Sequence, residues 1–205
     1  MQITGNVTRK DEGHGERLRR ACKSHGNAMR ALLICLLVPA AVGLAQEPHK
    51  VAVAQSDAQK SFDKLKTLAG SWEGRVTSVP LQAEVEGKYA LVSLRVTSMG
   101  NALLHELRLE GRPDDPITML YMDGDRLLLT HYCDAGNRPR MAAKVSPDGK
   151  TVEFGFLDVV GSTRYGNMHD AVFNAIDANH HTEVWTWMDP EGKPVHVRLD
   201  LQRKK

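Results

Sequence analysis

The sequence predicts an all-β protein: an antiparallel, up-and-down barrel of about ten strands with one short N-terminal helix. Three observations carry that prediction. From Trp72 onward, apolar residues recur with a period of two. The alternating stretches are punctuated by tight-turn sequences, Met99-Gly100-Asn101, Asp123-Gly124-Asp125, Pro147-Asp148-Gly149 and Pro190-Glu191-Gly192. No further helical period of ten or more residues follows Gly70, which argues against an α/β fold. Short links make neighbouring strands antiparallel, and a long meander hides its edges by closing on itself.

The helix comes first. Ser56-Asp57-Ala58-Gln59 has the form of a capping box, with Ser56 as N-cap and Gln59 reaching back. Phe62, Leu65, Leu68 and Ala69 follow at spacings of three and four and so share one face. Lys60, Lys64 and Lys66 are left for solvent. Gly70 is expected to end the helix in the left-handed conformation.

Strands are expected near 72–78, 88–98, 102–110, 116–122, 126–133, 139–146, 151–157, 167–177, 181–188 and 194–203. Alternation assigns faces within them. Leu103, His105, Leu107 and Leu109 share a face, as do Leu127, Leu129, His131 and Cys133, and Glu183, Trp185 and Trp187. His169 and Asp170 are adjacent and are expected to point to opposite sides. His180 and His181, beside Asn179, are expected in a solvated turn.

Ahead of the domain, residues 29–45 read as a secretory signal: Arg30, an apolar run from Ala31 to Val38, and small residues leading to Ala45. The run is short for a membrane span. Residues 1–28 are polar and aperiodic, as expected of an over-called upstream extension or a disordered tail, and Met29 is the expected true start. Residues 46–55 read as a linker and 56–205 as a single barrel domain. The protein is therefore expected to be exported, periplasmic or secreted.

Charge narrows the partners. Residues 1–45 hold seven of the 27 Lys/Arg and three of the 25 Asp/Glu, leaving 20 and 22 for the rest, a net of −2. That balance gives no basic excess for a phosphate backbone and argues against nucleic acid. Of three cysteines, Cys22 and Cys35 fall in or before the leader, so removal of the leader leaves Cys133 without a partner.

The densest polar segment runs from Leu129 to Met141 and places His131, Tyr132, Cys133, Asp134, Asn137, Arg138 and Arg140 at a strand end and its turn. His131 and Tyr132 are candidates to hydrogen-bond a ligand, and Arg138 or Arg140 to hold a carboxylate. The competing reading is a polar hairpin that satisfies its own turn carbonyls. His105, on an apolar face, reads first as a buried structural histidine and second as a ligand-binding one. Tyr121, Trp185 and Trp187 complete the ligand-binding candidates. No metal-ligand spacing, nucleophile elbow or phosphate loop occurs, so no catalytic or metal residue is assigned.

The helix followed by Gly70, Trp72 and Gly74 and then a meander resembles the calycin group: lipocalins, fatty-acid-binding proteins and nitrobindin-like haem-binding barrels. It is also similar to exported bacterial domains of unknown function that begin with a Gly-x-Trp motif. The resemblance implies that Trp72 packs at the barrel floor, with Arg198 or Arg203 of the last strand across it. A nitrobindin-like barrel would hold haem through a late histidine, for which His196 is the nearest counterpart.

The leading expectation is an exported protein that binds a small hydrophobic or amphipathic ligand, oriented by His131, Tyr132 and Arg140. The alternatives are a haem-binding barrel, an enzyme on the same scaffold with His131 as acid/base, and a structural domain with a packed interior. Fold alone does not choose among them.

Overall fold

The computed structural model describes residues 54–145 and 150–205. The residues expected to form the upstream extension, the signal segment and most of the linker, and the expected Pro147-Asp148-Gly149 turn, lie outside the described residues.

The helix α1 spans Asp57–Lys66. Ser56 caps it, its hydroxyl accepting from the Gln59 amide at 3.2 Å. Only half of the capping box forms, because the Gln59 side chain donates to Asp63 instead. The C-cap is Thr67, so the helix stops three residues before Gly70. Gly70 instead opens the first strand, with φ +140°.

Ten strands follow: β1 (Gly70–Val79), β2 (Tyr89–Thr97), β3 (Ala102–Leu109), β4 (Ile117–Asp123), β5 (Arg126–Tyr132), β6 (Arg138–Val145), β7 (Thr151–Val160), β8 (Asn167–Asp177), β9 (His180–Met188) and β10 (Pro194–Arg203). Each pairs antiparallel with its sequence neighbour, and β1 pairs with β10 to close the barrel. Closure leaves no free sheet edge at the β1–β10 seam, as a meander of this length requires.

The two ends of the barrel differ. At the floor, α1 lies against β4, β5, β6 and β2. Phe62, Leu65 and Leu68 point inward and join Trp72, Leu94, Leu103, Leu120, Leu127, Leu129 and Met141 in one buried cluster. That end is packed solid. The opposite end is built by the loops at 80–88, 110–116, 133–137, 161–166 and 189–193.

The Gly-x-Trp segment locks the floor. Trp72 is fully buried and its indole N–H donates to the Leu68 carbonyl at 2.8 Å. Arg203, opposite Trp72 in the β1–β10 register, lies over its ring. Arg198 faces away, beside Asp200. At Gly74 a Cβ would fall 1.9 Å from the Asp200 carbonyl oxygen, so the two strands approach as closely as they do only because that side chain is absent.

Two departures from simple alternation follow from bulges. A register shift between Met168 and Asp170 brings His169 and Asp170 to the same side, and His169 Nδ1 lies 2.9 Å from Asp170 Oδ2. The expectation that they diverge was therefore wrong. The turn before β9 is confined to Ala178 and Asn179, so His180 and His181 belong to the strand rather than to a solvated turn. His181 is wholly buried, while His180 meets Asp200 outside.

Candidate functional site

The inner faces of β3, β4 and β5 place His105, Thr118 and His131 side by side, since His105 pairs with Thr118 and Thr118 with His131. Below this row the inward positions are bulky aliphatics that meet α1. Above it the wall thins to Leu107, Leu109 and the loop residues, and β9 and β10 contribute Trp185, Trp187, Val195 and Val197. The space between is a cavity of about 520 Å³. It opens at the end opposite α1, where Glu84, Arg112, Asp114, Asp134 and Tyr165 line its rim.

His131 is the polar group best placed in this cavity. Thr118 Oγ1 lies 2.8 Å from its Nδ1, which leaves Nε2 for an occupant. Burial and the nearby charge of His105 push its pKa down to about 4, so near neutral pH it is an uncharged imidazole. Its ring lies 5.6 Å from that of Trp185.

A second group lies deeper. Glu183, on the inner face of β9, is fully buried yet makes three hydrogen bonds. His181 Nε2 donates to Oε1 at 3.0 Å, His105 Nε2 to Oε2 at 3.0 Å and the Trp185 indole to Oε2 at 2.9 Å. Burial alone raises the carboxyl pKa, but the charge and hydrogen bond of His105, aided by His181, outweigh it and hold Glu183 well below the usual carboxylate range. The group also ties the cavity to the floor, because His181 stands edge-on to Trp72 with ring centroids 4.2 Å apart. Nδ1 of His105 and Nδ1 of His181 are buried without a partner.

The sequence-expected candidates separate into two sets. His105, His131, Trp185 and Trp187 line the cavity, and Cys133 stands at its rim. Tyr132, Arg138, Arg140 and Tyr121 do not. Tyr132 follows His131 in a strand and so points outward, exposed. Arg140 pairs with Asp158 on the outer wall, opposite Thr130, and Tyr121 bonds Thr130 there. Arg138 is exposed. Asn137, expected only to satisfy turn carbonyls, is buried and clamps the 161–166 loop, donating to the Ser162 and Gly166 carbonyls at 2.9 Å each. Gly166 in turn abuts Trp187, whose ring would stand 2.9 Å from any added Cβ.

His196, the position at which a nitrobindin-like barrel would hold iron, is exposed on the outer wall, with Nδ1 3.0 Å from Thr186 Oγ1. It does not fit that role. Glu183 and His181 were missed as site residues. Glu183 had a readable signal, since it shares a face with Trp185 and Trp187; of its histidine partners, His105 lies on another strand and His181 was expected in a solvated turn.

Comparison with known proteins agrees with the fold and goes no further. No family model matches the chain, nor does any curated protein. Among solved structures, Rv2717c from M. tuberculosis is similar at 15% identity, covering 71% of this chain and 98% of that one, with a TM-score of 0.51. A protein of unknown function from the DUF3598 family of Nostoc punctiforme matches at 11% identity over 69% of this chain, with a TM-score of 0.47. This chain spans about half of that protein, 49% of its length. The molecule is a closed, ten-stranded antiparallel barrel.

Proposed function

We propose that this is an exported binding protein of lipocalin-like type, whose barrel takes a small, mainly apolar ligand through the end opposite α1. The observation that carries the reading is the cavity itself: about 520 Å³, walled by Leu107, Leu109, Val195, Val197, Trp185 and Trp187, with one uncharged imidazole, His131, turned toward the interior. A volume of this order, with apolar walls and a few converging polar groups, is typical of small-molecule sites. Export is supported by the leader-like residues 29–45.

Nile red, a neutral apolar fluorophore, tests the reading. Purified protein is expected to bind it saturably, with a blue-shifted emission and a stoichiometry of one. Leu107→Trp, which fills the cavity from the β3 wall, is expected to keep its circular dichroism and lose the signal. Absence of saturable binding to the native protein would show that the interior does not accept ligands.

A further inference from the structure

The charge around the cavity is one-sided. The five loops at the open end carry eight Asp/Glu against four Lys/Arg. Among the described residues, the cavity wall itself holds three carboxylates, Glu84, Asp114 and Asp134, and one basic side chain, Arg112. That arginine is already paired with Asp134. A second rim cation, Arg164, is seated over the ring of Tyr165 at 4.4 Å. Glu84 and Asp114 thus stand at the rim with no ion-pair partner among the described side chains.

In the interior, His131 is held uncharged by burial, and the Nε2 nitrogens of His105 and His181 are both committed to the Glu183 carboxylate rather than offered to an anion. An anionic head at the rim would face like charges, and one driven inward would lose its hydration beside the buried carboxylate of Glu183. A cationic head meets the opposite situation. The acidic rim raises its local concentration, and the aromatic ring of Trp187 in the same wall can receive it by cation–π contact.

We infer that the ligand is a cationic amphiphile: its apolar body fills the cavity between Leu107, Leu109, Val197 and Trp185, and its amine or quaternary ammonium head rests at the rim against Glu84 and Asp114. This rests on the binding function proposed above and narrows its ligand class.

The test is competition against Nile red by two probes with the same tail, dodecyltrimethylammonium and dodecanoate, each kept below its micellar concentration. At low salt the ammonium is expected to displace the dye at about one-tenth the concentration that dodecanoate needs or less. High salt is expected to narrow the gap, because the rim charges are exposed. Glu84→Gln with Asp114→Asn is expected to close most of it, each competition being referred to the Nile red affinity of the same variant. Equal or better displacement by dodecanoate overturns the cationic assignment and leaves the binding function standing. A gap that persists unchanged in the double variant also overturns it, since the preference then does not arise from these carboxylates. Failure of Nile red to bind the native protein removes both conclusions together.

Discussion

Arg203 covers the indole of Trp72, its guanidinium carbon 4.1 Å from the ring centroid, while its Nη1 donates to the Ala69 carbonyl at 2.9 Å. One side chain therefore closes the last strand onto the first and ties both to the end of the helix. The same guanidinium also donates to the Ala178 carbonyl from Nε. The floor of the barrel is a single unit in which segments far apart in sequence are joined.

Truncating that unit is expected to be costly. Trp72→Ala removes a fully buried indole from a packed floor and is expected to destabilise the domain by about 3–5 kcal/mol. Arg203→Lys keeps the charge but not the planar fork, and is expected to lose about 1–3 kcal/mol. Urea denaturation followed by tryptophan fluorescence measures both. A cost under about 1 kcal/mol for Trp72→Ala, the range of surface changes, would remove its organising role.

Gly74→Ala tests the close approach of β1 and β10. The added methyl would overlap the Asp200 carbonyl, a backbone atom that cannot swing aside. A loss of about 1–3 kcal/mol is expected, from overpacking, with increased amide exchange confined first to the β1–β10 pair. Hydrogen exchange by mass spectrometry locates it.

Glu183→Gln preserves shape and changes chemistry. The amide has one oxygen to accept where the carboxylate has two, and its NH2 faces His N–H donors. The variant is expected to lose about 3–5 kcal/mol, as when one partner of a buried charged group is removed. Because the folded pKa of Glu183 lies below its ordinary value of 4.5, its stabilising effect is present above that pH and fades below it. The difference between native and variant stability is therefore expected to shrink in acid.

His131 dominates a different pH window. In the fold it protonates only near pH 4, against 6.5 for the ordinary side chain. Between those values the unfolded chain binds a proton that the folded chain does not, so stability is full above the ordinary value and falls as pH drops toward 4. The full effect is on the order of 3 kcal/mol. His131→Gln, stable enough to be measured, is expected to flatten this slope by one proton. Denaturation midpoints at about pH 7.5, 6 and 4.5 are the check. An unchanged slope would mean that His131 titrates as an exposed residue.

Most of the fold was legible in the sequence by itself. All ten strands lie within a few residues of where alternation and turn residues placed them, and the helix began at the expected cap. Strand period, turn chemistry and helix caps are local properties, written in residues close together in the chain. The same locality explains why His131, Trp185 and Trp187 could be assigned to inner faces. It also explains where the reading failed. One bulge turned His169 toward Asp170, and Asn179 suggested a solvated turn at His180 and His181, where strand pairing has already begun. A bulge is a single-residue change of register, and in a period of two that reverses the side a residue faces.

What only the tertiary structure decided is the company these residues keep. Glu183 lies 78 residues from His105, and closure of the barrel is what brings them to 3.0 Å. Closure likewise sends Arg140 to the outer wall beside Asp158 and leaves His131 inside. The floor is full because α1 supplies the side chains that fill it, and the other end is open because no segment among the described residues does the same there. Periodicity states which side of a strand a residue occupies; only the closed sheet states what stands opposite.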